Sequence, residues 1–67
     1  MQSFDVPMAD GRTVTAEKSD RNRWALFLFS ADGDAIERLG SKSGTRGEAM
    51  RYAESIAEAI ERDPVAV

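Results

Sequence analysis

Residues Trp24-Ala25-Leu26-Phe27-Leu28-Phe29 form an uninterrupted apolar stretch in a chain whose mean hydropathy is -0.43. Successive side chains of a strand point to opposite faces of a sheet. The stretch therefore divides into two sets, one for each face: Trp24, Leu26 and Leu28, and Ala25, Phe27 and Phe29. Two buried aromatic rings amount to roughly 300–500 Å², as much as the largest apolar patch of a typical monomer. Both faces of this strand are therefore expected to be covered.

The chain has 67 residues, so a single small domain, residues 1–67, is expected. A chain of this size buries only about 60% of its unfolded surface, and such domains usually need disulfides, a metal or oligomerisation. The sequence contains no cysteine and no histidine. Disulfides, thiolate or imidazole metal sites and histidine acid–base pairs are therefore excluded. Self-association remains as the available support.

The charge balance is acidic, with 9 basic and 12 acidic residues and a net charge of -3. Nucleic acid is not an expected partner, because its phosphates require a concentrated basic surface. The first residues lack a signal-peptide pattern, and no stretch approaches the ~20 apolar residues that span a bilayer. We therefore expect a soluble, cytoplasmic protein without a membrane partner.

Turn-forming residues indicate four strands before the helix. Asp10-Gly11 and Asp32-Gly33 favour tight hairpin turns, and the polar run 18–22 separates the second strand from the third. The strands are predicted at residues 3–6, 13–18, 23–30 and 35–39, followed by a flexible loop at residues 40–44.

After this loop the apolar period changes to that of an amphipathic helix. The apolar stripe consists of Ala49, Met50, Ala53, Ile56, Ala57 and Ile60. Thr45 and Glu48 have the spacing of a capping box, in which each side chain bonds the other's backbone N–H. Pro64 disfavours helical geometry at the residue before it, so the helix is predicted at residues 45–62. The predicted fold is α+β: a four-stranded antiparallel β-meander followed by one C-terminal helix packed on one face (ββββα).

A single helix cannot cover both faces of such a sheet. It is about 10–12 Å across, whereas four strands spaced ~4.8 Å apart make a sheet about 15–19 Å wide. The alternation leaves open which set of the third strand meets the helix, although Trp24, Leu26 and Leu28 are favoured. The candidate interface residues, at which a second copy or a protein partner would dock, are Trp24, Ala25, Phe27 and Phe29. The alternative is a core strand of a monomer with one or two exposed aromatics.

The segment before the helix is a candidate for weak anion binding. It combines glycines, hydroxyls and cations beside a helix N-terminus, where backbone donors and the helix dipole favour an anion. The candidate residues are Lys42, Gly44, Thr45 and Arg46. Their spacing does not match the phosphate-loop signature, and a connector that caps the helix through Thr45 is the favoured interpretation.

Other polar groups give weaker indications of chemistry. The acids that could form a carboxylate pair or a hard-metal site are Asp5, Asp10, Asp32, Asp34 and Glu37, but three of them lie in turns that explain their presence. The cations that could form a base-stacking platform beside Trp24 are Arg12, Lys18, Arg21 and Arg23, interrupted by acidic neighbours. We therefore expect no enzyme, no metal, no cofactor and no small-molecule substrate.

Parts of the sequence resemble two known protein families. The passage Leu39-Gly40…Gly44-Thr45…Glu48-Ala49…Ala53…Ile56 resembles the loop-to-helix segment of HicB-type antitoxins, and the order of a meander and then a helix is similar to dimeric single-stranded DNA-binding coactivators. These resemblances assign no functional residue. The favoured function is a non-enzymatic protein-interaction module or accessory protein, self-associating or bound to a protein partner. The alternatives are a nucleic-acid-binding regulator and a small phage- or plasmid-borne inhibitor.

Overall fold

A computed structural model describes residues 2–62 and confirms the predicted ββββα fold. One antiparallel sheet contains the four strands in chain order, followed by a single helix. The elements are β1 (Ser3–Pro7), β2 (Thr13–Asp20), β3 (Arg23–Phe29), β4 (Ala35–Ser43) and α1 (Arg46–Arg62). Pro64, which was predicted to end the helix, lies outside the described residues. No helix within residues 2–62 has the length and apolar character needed to cross a membrane.

The two Asp-Gly pairs lie in the hairpin turns that they predict. Gly11 has a φ of 96° and its N–H donates to the Met8 carbonyl at 3.1 Å. Gly33 has a φ of 92° and its N–H donates to the Ser30 carbonyl at 2.9 Å. Glycine adopts positive φ without a Cβ clash, so these turns connect β1 to β2 and β3 to β4 without strain.

The fourth strand is longer than predicted and includes residues 40–43, which the sequence had indicated to be a loop. Four further pairs extend the β3–β4 ladder: Gly40 with Leu26, Ser41 with Ala25, Lys42 with Trp24, and Ser43 with Arg23. The register shifts between Leu26 and Phe27, so Leu39 is an extra residue on β4. Gly40, with a φ of 118°, follows it. The glycine that suggested a loop therefore lies at a β-bulge, where the strand bends and continues.

The core lies between the sheet and α1. The helix contributes Ala49, Ala53 and Ala57, and the sheet contributes the nearly inaccessible Val14, Trp24 and Leu26. Small residues opposite large ones allow the two layers to interdigitate closely. Met50, Ile56 and Ile60 pack at the margins of this cluster. Trp24, Leu26 and Leu28 therefore form the face that meets the helix, as favoured from the sequence.

Candidate functional site

Trp24 belongs to the core and not to a surface. Its ring is 1% exposed and lies 5.4 Å, centroid to centroid, from the ring of Phe4. Its indole Nε1–H donates to the carbonyl of Gly44 at 3.3 Å. The sequence had placed Trp24 among the candidate interface residues, but its position in the alternation puts it on the helix side. Ala25, Phe27 and Phe29 are the candidate interface residues that point the other way.

The sheet surface opposite α1, here called the outer face, has Ala25, Phe27 and Phe29 at its centre. Phe27 pairs with Thr15 and Phe29 with Thr13, and directly paired side chains share a face. Both phenylalanines are half-buried, because neighbouring side chains of the same sheet flank them. The apolar strip is thus smaller than two bare rings would make it. Within residues 2–62 no second layer packs over it.

The charged side chains of the outer face are segregated into two halves. The strands β1 and β2 carry Asp5, Glu17 and Asp20, and the strands β3 and β4 carry Arg23 and Arg38. Asp5 accepts a hydrogen bond from Thr15 Oγ1 at 2.9 Å. The ion pairs found in the described part of the chain involve other residues. These outer-face charges are therefore available to a partner.

The predicted capping box is present at the start of α1. The Thr45 N–H donates to the Glu48 carboxylate at 3.0 Å, and the Glu48 N–H donates to Thr45 Oγ1 at 3.2 Å. Hydrogen bonding to its carboxylate by the Thr45 backbone N–H, and next by the Thr45 side chain, lowers the pKa of the Glu48 carboxyl. A Cβ on Gly44, whose φ is 129°, would lie only 2.7 Å from Glu48 Oε1. The chain's own carboxylate therefore occupies the helix N-terminus.

The two cations of the predicted anion site lie over aromatic rings. Lys42 Nζ is 5.5 Å from the centroid of Tyr52, and the guanidinium of Arg46 is 5.7 Å from that of Phe4. Such cation–π contacts are worth about 0.5–1 kcal/mol at exposed sites. An external anion would compete with Glu48 for the Thr45 N–H and with these rings for the cations. The anion site stays a prediction.

The cations near the turns do not surround an exposed ring of Trp24. Arg12 bonds Asp10 through Nε at 2.7 Å and through Nη2 at 2.6 Å. The hydrogen bond from the Arg12 side chain lowers the pKa of Asp10, and the same bond raises the pKa of Arg12. Because the indole of Trp24 is buried, it cannot stack on a base, as the platform considered from the sequence would require.

Within residues 2–62, few polar side chains point toward a common position where a small ligand or a metal could bind. No cluster of three or more acidic residues in residues 2–62 could hold a metal ion. An open depression of about 380 Å³ is lined by Gln2, Lys18, Ser19 and Asp20. Ligand pockets usually enclose most of the ligand, whereas this depression is open to solvent and is lined by residues of polar type.

No protein-family model matches this chain, and no curated protein or solved structure matches it significantly. The likenesses to HicB-type antitoxins and to single-stranded DNA-binding coactivators therefore stay expectations. What the protein does has to follow from its own surfaces.

Proposed function

We propose that this chain is a non-enzymatic, cytoplasmic protein-interaction module that docks through the outer face of its sheet. The supporting observation is the pair of half-buried phenylalanines, Phe27 and Phe29, which lie beside the 7% exposed Ala25 on the face opposite the helix. Burial of apolar surface is favourable by about 25 cal/mol per Å². A domain with a small core gains most from a second apolar interface, so a protein covering this strip would stabilise the fold as well.

The residues also weigh against the other functional classes. The chain has no histidine and no cysteine to supply the commonest acid–base and nucleophilic groups. A regulator that stacks bases on aromatic rings needs an accessible ring near cations, and Trp24 is 1% exposed. The half-buried phenylalanines lie between Arg23 and Arg38 on one side and Asp5 and Glu17 on the other, and these carboxylates repel phosphate groups. A protein surface therefore fits the outer face better than a nucleic acid.

Site-specific photo-crosslinking tests the proposal directly. A benzophenone side chain is placed at Phe27 on the outer face or, as the control, at Glu58 on the exposed side of α1. Irradiation in the cells that make the protein should yield covalent protein adducts from position 27 and not from position 58. Adducts to a second copy or to another protein would both support docking. No adduct at position 27, equal adducts at both positions, or adducts to nucleic acid would contradict it.

A further inference from the structure

One row of paired residues crosses the outer face from an acid to an arginine. It runs through Asp5 on β1, Thr15 on β2, Phe27 on β3 and Arg38 on β4. The edge strands are about 14 Å apart at the usual strand spacing, too far for the terminal carboxylate and guanidinium to pair within one copy. The row therefore presents opposite, unpaired charges at its two ends and an aromatic ring near its middle.

We propose that the partner of the outer face is a second copy of this chain, packed face to face about a twofold axis parallel to the strands. Such an axis lays each row over the same row of the other copy in reverse order. Asp5 of each copy then faces Arg38 of the other, and Phe27 faces Thr15. Because it names the partner of the same surface, this inference rests on the proposed function.

The remaining outer-face residues agree with this arrangement. In the next row Phe29 of one copy lies over Thr13 of the other, and the small Ala35 lies over Pro7. Glu17 lies over β3 of the other copy, the strand that carries Arg23. Each acidic half therefore meets an arginine-bearing half. Aligned packing of two sheets about 10 Å apart is the ordinary geometry of a β-sandwich.

The charges also select this axis over the other twofold arrangement. An axis in the same plane but perpendicular to the strands would lay each strand over its own copy. When that axis runs along the row, Asp5 lies over Asp5 and Arg38 over Arg38, and at any other position the acid-bearing strands still face each other. Facing like charges are strongly unfavourable across an interface. An isologous dimer through this surface therefore favours the axis parallel to the strands.

The interface between the two copies is small, so the dimer should form only at high protein concentration. Four strands about 19 Å wide and roughly 20 Å long give a footprint of roughly 400 Å² on each copy. A total of roughly 800 Å² lies below the ~1,200–2,000 Å² of stable specific interfaces and in the range of weak, transient ones. The dimer is therefore weak, and its population should rise with concentration across the micromolar range.

Charge reversal distinguishes the proposed geometry from other modes of association. Sedimentation equilibrium is measured for the wild type, Asp5→Arg, Arg38→Asp, their equimolar mixture and the double variant. Each single variant should dimerise at least about tenfold more weakly, because like charges face each other twice in its homodimer. The mixture and the double variant should recover dimerisation, because the arginine introduced by Asp5→Arg in one copy then faces the aspartate introduced by Arg38→Asp in the other.

Matched controls carry the same change in net charge elsewhere on the surface. Asp32→Arg and Arg21→Asp alter exposed turn residues and should leave dimerisation unchanged, and thermal unfolding verifies that all variants fold. A wild type that stays monomeric to millimolar concentration, single variants that dimerise like the wild type, or a mixture that is not rescued would overturn the proposal. If adducts at position 27 then contain another protein, the docking function survives without the homodimer.

Discussion

The two sides of β3 have similar chemistry and very different surroundings. Trp24, Leu26 and Leu28 are at most 3% exposed beneath α1. Phe27 and Phe29, on the outer face, are half-buried by their sheet neighbours alone. A residue's hydrophobicity therefore does not by itself determine its burial in a domain with only one helix. The position of that helix separates a side that holds the fold together from a side that is available for a partner.

The sharpest test of this difference compares adjacent residues of β3. Leu26→Ala should lower the free energy of unfolding by about 2–5 kcal/mol, because it leaves a cavity in the core. Phe27→Ala should cost less, since solvent already reaches its ring. Urea unfolding is measured at a concentration at which the chain is monomeric. Equal losses at the two positions would show that the two faces contribute alike to the monomer.

The helix α1 also has one side packed against the core and one side exposed to solvent, and the two can be compared in the same way. Ala53 is 0% exposed against the sheet, so Ala53→Leu should destabilise by about 1–3 kcal/mol through overpacking. Ala59 lies on the exposed side of α1, and Ala59→Leu serves as the control with little expected change. Thermal unfolding of both variants checks the result. An Ala53→Leu variant as stable as the wild type would mean that α1 packs less tightly against the sheet than the structure indicates.

Removal of the capping box at the start of α1 should destabilise the protein less than the core substitutions do. Thr45→Ala removes the side-chain oxygen that accepts the Glu48 N–H and should cost about 1 kcal/mol. Ser55→Ala, at an exposed position within α1, is the matched control. Unchanged stability together with unchanged NMR helix boundaries would contradict the importance of this cap.

The Glu48 carboxyl adds a pH dependence to the same junction. Because its pKa in the folded chain lies below the ordinary 4.5, its stabilising contribution is present above that value and is lost as the pH falls through the folded pKa. Glu48→Gln keeps a capping side chain but does not titrate. Its melting temperature should therefore fall less than that of the wild type on acidification below pH 4.5. Parallel acid profiles for the two proteins would refute this.

The smallest expected effect is that of nucleic acid on the buried indole. Single-stranded oligonucleotides at physiological salt should leave Trp24 fluorescence unchanged, because the ring is 1% exposed and the chain is acidic. Stacking on an accessible ring would quench it, and phosphate contacts would make binding weaken with salt. Micromolar binding that weakens steeply as salt rises would favour the nucleic-acid alternative instead.

Local residue patterns were sufficient to predict every element of the fold. The Asp-Gly pairs specify tight turns, the change of apolar period separates strands from helix, and the spacing of Thr45 and Glu48 marks where the helix begins. These features depend on residues that are close together in the chain. The outer-face candidates Ala25, Phe27 and Phe29 followed from the period of two in β3, although Trp24 had to be reassigned to the core.

Features that depend on residues far apart in the chain required the tertiary structure. Met8 lies between the first two predicted strands, yet it belongs to the core and is 6% exposed. The carboxylate of Glu61, an exposed residue near the end of α1, accepts the Ala9 N–H at 2.6 Å across 52 residues of sequence. The bulge that extends β4 through Gly40 exists because β3 provides the partner strand.

The sequence by itself determined that β3 has two apolar sides and that one helix cannot cover both. Only the tertiary structure decided which side the helix covers, because alternation is symmetric between the faces. It also brought Asp5 and Arg38 into one row of the outer face, since register between strands aligns residues that are distant along the chain. The inferred dimer depends on that alignment, which composition and periodicity do not contain.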